Sequence, residues 1–413
     1  MKLRYIILIV LPFLWACEGG GLNSDGVTVA DSAGVAIVSN AEAAWREGDR
    51  WRLESSPGIE IGVVDGEAAY QFDRIIGATT LSDGRIVVAD MGSSQVRVFD
   101  ESGRHVKSIG GAGDGPGEFR QITGLQRLAD DGLAVENQQH RVQIFGPDGT
   151  LRDAVTTGTF NMNIDPITFH VNPPAGVLVV GWVDDGSFIG WRSTQPSFTP
   201  NREFVEAETL KHTYSRFGPD GEELEEIVRL PGTTFHPHPM NLVLPGVFGS
   251  RTYVSKWEGR LIFGNSGSGE VFWYRLSGDL DQVARLPWDQ RPTSEEMIER
   301  YVQGSVPPLP EGIARDRTFK EELPAFSDLI VDAVGNVWLR RYEVDHAFTT
   351  MQYIRTFDIP STWVVLDPTG RWLGEVEMPA NFTALEIGVD HVLGVRRDEF
   401  EVEYIEVYRL TKN

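Results

Sequence analysis

The segment FHPHP (235–239) places His236 and His238 two residues apart. On extended backbone this spacing sets both imidazoles on one side, where they could hold a metal ion. The flanking prolines fit a rigid loop equally well, and the sequence identifies no third ligand. Two carboxylate pairs, Asp130-Asp131 and Asp184-Asp185, have the composition of an acid/base couple. Adjacent strand residues point to opposite faces, however, and both pairs sit in turns, where Asp is expected without catalysis. Glu399, Glu401 and Glu403 alternate with Phe400, Val402 and Tyr404, which predicts a strand with one wet acidic face, open to a cation, and one buried apolar face. The chain contains no G-x-S-x-G and no H-E-x-x-H, and its single cysteine, Cys17, is no usable nucleophile.

The elements that must position such residues form a repeat. Six times a tight turn carrying Gly or Asp leads into a short apolar strand: SDGRIVVAD (82–90), DDGLAVEN (130–137), PAGVLVVGW (174–182), WEGRLIFGN (257–265), AVGNVWLRR (333–341) and GVDHVLGVR (388–396). A second strand follows each, usually ending in another turn, as in VRVFDESG (96–103), VQIFGPDG (142–149) and WVVLDPTG (363–370). β-Branched and aromatic residues alternating between Gly, Asp and Pro are strand and hairpin signals, without helical period. The turn glycines Gly84, Gly132 and Gly176 are spaced by 48 and 44 residues, the length of a four-stranded propeller blade. The fold expected is all-β, a six-bladed β-propeller over residues 45–413, with the tryptophans mostly in its core.

The last repeat ends with the chain, short of a full blade. The segment RWRLESSPGIEIG (50–62) precedes the first repeat as a strand with no blade of its own, so it is expected to complete the last blade and close the ring. VTVADSAGVAIVSN (27–40) can add an edge hairpin. Residues 184–211 read as a long loop or extended hairpin. Residues 287–326 form a second insert with a short helix: Thr293 and Glu296 make a capping box, Met297, Ile298, Tyr301 and Val302 share one side, and Gly304 ends it. Such a helix serves as a lid or docking element, or simply packs on a blade.

The glycine-rich stretch IGGAGDGPGEF (109–119) falls between repeats. It fits G-x-G-x-x-G in no register, because Pro116, Glu118 or Arg120 stands at the sixth position, and no helix follows to receive a phosphate. It resembles the G-x-G-x-G-P-G-E-F junction of NHL-type propellers, and residues 62–72 look like a worn copy. At the start of the chain, Lys2 and Arg4 precede an apolar run too short to span a bilayer, as in an export signal (1–16), which closes on Cys17. This resembles the lipobox of bacterial lipoproteins, with Trp15 bulkier than that family prefers. The resemblance implies lipidation of Cys17, a tether over 17–44, and, with Glu18 next, the periplasmic side of the outer membrane. Loss of Lys2 and Arg4 moves the formal charge from −23 to −25, an acidic body that excludes nucleic acid as a partner.

Taken together the chain resembles the six-bladed propeller lipoproteins of bacterial envelopes. The reading that follows is a monomeric, lipid-anchored, non-enzymatic module binding a periplasmic protein, peptide or glycan. The alternative is a metal-dependent hydrolase or lyase, since lactone hydrolases and some lyases use six-bladed propellers that gather a divalent metal in the channel. Asp90, Glu136, Asn137, Asn265 and Arg340, read as following inner strands, are then the channel-mouth candidates. No motif demands a cofactor, and a divalent cation such as calcium is the one a channel site would admit. In cells, Cys17→Ser is expected to abolish incorporation of labelled palmitate and leave the precursor uncut; undiminished labelling would contradict it.

Overall fold

The structure, a computed structural model, describes residues 26–157, 177–193, 207–238, 242–289, 291–304, 314–344 and 359–412. Six antiparallel sheets follow one another along the chain. Blade 1 comprises Ile75–Thr80, Ile86–Asp90, Gln95–Phe99 and His105–Gly110, and blade 2 comprises Ile122–Arg127, Leu133–Asn137, Arg141–Phe145 and Leu151–Thr156. Blade 3 is Leu178–Trp182, Phe188–Ser193, Glu208–Phe217 and Glu223–His238, with a fifth strand, Leu242–Pro245. Blade 4 is Thr252–Trp257, Arg260–Asn265, Glu270–Arg275 and Leu280–Arg285; blade 5 is Phe326–Val331, Val337–Arg341, Ser361–Leu366 and Trp372–Met378. Blade 6 has three strands of its own, Phe382–Ile387, His391–Arg397 and Glu403–Thr411.

Turn chemistry repeats from blade to blade. Between third and outer strands an Asp accepts from backbone N–H groups further along, and a left-handed glycine follows. Asp100 takes the N–H of Ser102 and Arg104 with Gly103 at φ 80°; Asp367 takes those of Thr369 and Arg371 with Gly370 at φ 81°. Phe119 lies under the glycine-rich junction, with its ring where a Cβ on Gly110 would have to stand. The junction is therefore an inter-blade connection, as its place in the repeat predicts. Buried Gln143, on the third strand of blade 2, holds it by accepting from Gly117 N–H (2.7 Å) and donating to the Glu118 carbonyl (2.7 Å).

The repeat is out of phase at one point. In five copies the tight turn is the first hairpin turn, so the strand after it is the second of its blade and the inner strand precedes it. In blade 3 the stretch LVVGW is itself the inner strand. Its equivalent turn is Asp184–Ser187, and Phe188–Ser193, within the expected long loop, is the second strand. Residues 194–206 of that loop lie outside the described residues. The acidic alternation near the C-terminus is also inverted. Residues 398–402 form a turn ordered by Asp398, so Phe400 is 75% exposed, while Glu403, at the start of a strand, is buried on Arg397.

Closure follows the expectation. Ile59–Ile61 pairs with Val407–Ile405 of the last strand, and Arg52–Leu53 pairs with its end. The hairpin Val27–Ser32 and Val35–Asn40 extends blade 4 by parallel pairing with its outer strand. Apolar clusters fill the seams between neighbouring blades, including the one joining last to first, where Ile61, Ile75, Val88, Phe99, Leu393 and Ile405 meet. Ile61→Ala is expected to lower unfolding free energy by about 2–5 kcal/mol, and exposed Val29→Ala by less than about 0.5 kcal/mol. Chemical denaturation measures both; similar losses would contradict the closure.

Candidate functional site

In each blade the inner strand begins, and the second strand ends, at the mouth where the inter-blade connections run. Asp90, Glu136, Asn137, Asn265 and Arg340 end second strands and so gather at this mouth from blades 1, 2, 4 and 5, one strand further out than the sequence reading placed them. Their surroundings divide them. Asp90 is almost wholly buried and paired with Arg97 at 2.8 Å; it also accepts from the Asp73 N–H and the Ser93 hydroxyl. Burial pushes its carboxyl up, while Ser93 and the Arg97 charge pull the other way. Arg97 in turn donates to the Ala69 and Gln71 carbonyls, holding the connection into blade 1 as Gln143 holds the next. Asn137 Oδ1 accepts from the N–H groups of Gln139 and Arg141, and Asn265 Oδ1 from that of Gly267, so both shape turns. Arg340 donates to Ser327 Oγ at 3.1 Å and lies 5.9 Å from the Trp363 ring centre.

Glu136 is different. Its side chain lies over Gly124 of the blade 2 inner strand, with Oε2 3.3 Å from where a Cβ on that residue would stand, so glycine leaves the carboxylate its room. It makes no hydrogen bond or ion pair among the described residues. Burial alone pushes its carboxyl up to about 7.

His236 and His238 lie where the outer strand of blade 3 runs alongside the fifth strand. His236 Nε2 is buried without a partner among the described residues, and burial, then the Lys320 charge, lowers its basicity. His238 is buried. No group of three His, Cys, Asp or Glu is spaced to hold a metal ion among the described residues, so none of these joins His236 and His238 as a third ligand. Cys17 lies outside the described residues.

The sequence reading missed the mouth between blades 4 and 5. Helix Glu295–Gly304 roofs it, packing Met297, Ile298, Tyr301 and Val302 on Val247, Phe248, Phe319, Leu323 and Tyr342. Its cap is Ser294, whose Oγ accepts from Met297 N–H at 3.3 Å. Thr293, read as the cap, has its hydroxyl buried without a partner among the described residues, so there is no capping box. The Val247 N–H donates to the Thr318 carbonyl and Arg291 to that of Tyr342, stitching the insert down. Beneath it Tyr253, on the inner strand of blade 4, lies within reach of the charges of Arg251, Asp328 and Arg340, and burial pushes its phenol up to about 12. A cavity of about 790 Å³ opens beside this cluster, lined by Phe248, Ser250, Ser266, Trp288 and Lys320. No local sequence pattern marks this mouth, because residues 248–250, 266–269, 286–289 and 318–325 come together only in the fold.

Comparison with known proteins supports the architecture. Residues 74–127, blade 1 plus the next inner strand, match a family described as 6-bladed beta-propeller. RING finger protein nhl-1 of Caenorhabditis elegans is 30% identical over 108 residues, 25% of this chain and only 11% of that protein. A member of the duf4221 family from Bacteroides vulgatus superposes with a TM-score of 0.50 at 9% identity, over 88% of this chain and 99% of that one. Virginiamycin B lyase from Staphylococcus aureus (TM-score 0.39, 9% identity, 88% and 99% covered) and a gluconolactonase from Xanthomonas campestris (0.38, 15%, 87% and 100%) are also similar. These low identities concern fold. The expectation of a non-enzymatic module is corrected: a propeller fold decides neither for nor against catalysis, so the lack of a sequence motif does not justify a negative.

Asp90 is assigned to structure. Asp90→Asn, which strands Arg97, is expected to destabilise the protein by about 3–5 kcal/mol in urea unfolding; a loss below about 1 kcal/mol would contradict that role.

Proposed function

We propose that the chain is an exported propeller, held at the envelope through lipid on Cys17, that performs acid–base chemistry of the hydrolase or lyase class at its channel mouth. The observation that carries the reading is Glu136: a carboxyl near the mouth-side end of the blade 2 second strand, without a hydrogen-bond or ion-pair partner among the described residues, whose proton affinity burial has brought to the neutral range. A group poised near the working pH is the most effective general acid–base catalyst. In hydrolysis its carboxylate would take a proton from water as the water oxygen bonds to the substrate carbonyl carbon; in elimination it would take a proton from a substrate C–H as that bonding pair forms a C=C bond. The leaving group departs with its bonding electron pair and receives that proton back from Glu136. The described residues gather no metal-ligand set, so the proposal routes no step through a cation. Docking of a protein, peptide or glycan has less behind it, because the roof aromatics Phe248, Tyr301 and Phe319 pack on one another.

The raised carboxyl has a defined stability signature. Protonated Glu136 suits the fold, and its contribution is complete below the unfolded value near 4.5 and lost as pH rises through about 7. Over that window the wild type is expected to lose up to about 3 kcal/mol relative to Glu136→Gln, read from urea unfolding at a series of pH values. In a panel of lactones and esters assayed near neutral pH, the same variant is expected to lose about 100-fold or more in kcat. Parallel stability curves together with unchanged turnover would sink the proposal.

A further inference from the structure

The cavity of about 790 Å³ beside the helix roof combines aromatic surface with polar groups that the fold does not use. Phe248, Tyr301 and Phe319 are spent largely on one another, but Trp288 also lines the cavity. It is half-buried and held in place: its Nε1 donates to the Gly269 carbonyl at 3.1 Å, the Arg341 guanidinium lies 5.1 Å from its ring centre, and its ring stands where a Cβ on Gly269 would have to be. With its N–H committed, the indole offers the cavity ring surface and no donor.

Asp289, Lys320, Glu321 and Glu322 line the same cavity, and their side chains make no hydrogen bond or ion pair among the described residues. Ser266, 1% exposed, lines it as well. Its Oγ accepts the Arg251 N–H at 2.8 Å, and its own O–H has no acceptor among the described residues. A buried hydroxyl hydrogen without an acceptor is a cost that an occupant of the cavity removes.

Charge decides what that occupant is. Three carboxylates against one ammonium leave the walls negative, which repels phosphates and carboxylates. Lys320, in turn, opposes a cation and needs an acceptor. A neutral molecule rich in hydroxyls meets both conditions: its O–H groups donate to the carboxylates, its oxygens accept from Lys320 and Ser266, and its C–H face covers the indole. The volume lies within the roughly 300–1,000 Å³ of pockets that enclose a small organic ligand.

We propose that this cavity binds a neutral saccharide, with Trp288 as the platform for its C–H face and Asp289, Glu321 and Glu322 as acceptors for its hydroxyls. The site lies between blades 4 and 5 and does not rest on Glu136, so it goes beyond the catalytic reading and stands or falls apart from it.

Calorimetric titration of the full chain, purified in a detergent without sugar headgroups, tests it with maltose, cellobiose, lactose and N,N′-diacetylchitobiose, and with spermidine as the cationic control. The expected result is saturable binding of at least one disaccharide and none of spermidine. Asp289→Ala and Glu322→Ala, both at exposed positions, should each weaken that binding about tenfold with Tm unchanged, and Trp288→Phe should retain more of it than Trp288→Leu. Glu136→Gln should leave it intact. Saturable binding of spermidine, no saturable binding of any of the disaccharides, or affinity indifferent to Asp289→Ala and Glu322→Ala would overturn the site. Loss of sugar binding in Glu136→Gln would place the sugar at Glu136 instead and overturn it too, whereas loss of Glu136-dependent turnover alone would leave it standing.

Discussion

Everything at the channel mouth depends on one strand pairing, that of Ile59–Ile61 with Val407–Ile405. A ring of sheets left open between its last and first members would expose two strand edges and two apolar faces. The pairing removes an edge and brings Ile61 into the seam between blades 6 and 1. Other contacts tie the same seam. Glu403, held by Arg397, accepts the Ile75 N–H at 2.7 Å, so the last strand of the chain is fixed to the first inner strand of the ring. Nearby, Lys412 lies 4.3 Å from the Trp51 ring centre, and Trp51 packs on Trp338 between blades 5 and 6. With the ring shut, the inner strands have no freedom to spread, and groups on different blades keep their separations.

That rigidity makes it possible to sort the polar residues of the mouth by what they do. Burying charge is tolerated when it is paired, as for Asp90 with Arg97, and such pairs here hold connections in place. Glu136 is different. It lies against a bare glycine without a partner among the described residues. A stable fold does not need that arrangement, which is why it is read as functional. A carboxyl that retains its proton near neutrality suits a site that moves a proton.

Much of this architecture is legible in the sequence because blades are local. Turn glycines, Asp-bearing hairpins and alternating apolar residues each act within a few positions, so six copies could be counted and the leftover strand at 50–62 assigned to closure. Errors arose where one local pattern fits two structures. The apolar stretch LVVGW reads as readily as an inner strand or a second strand, and only its pairing with Phe188–Ser193 decides. Phe400 and Glu403 follow an alternation that a turn at Asp398 interrupts, leaving the aromatic outside and the acid inside. Of the mouth residues, Glu136 was found by its place at a strand end, but its isolation depends on Gly124 across the sheet. Phe248 and Phe319 are far apart in the chain and meet only because the insert folds back over blade 4, which no periodicity encodes.

Hydrogen exchange of individual backbone amides tests the closure most directly. If the ring is latched as described, the amides that Ile59–Ile61 and the last strand exchange between them are protected to the same extent as those between Val392 and Tyr408 in the centre of blade 6, because both open only when the whole propeller unfolds. Protection of Ile59–Ile61 weaker by orders of magnitude than at Val392 would mean that the latch opens on its own, and the account of a rigid mouth would fail with it.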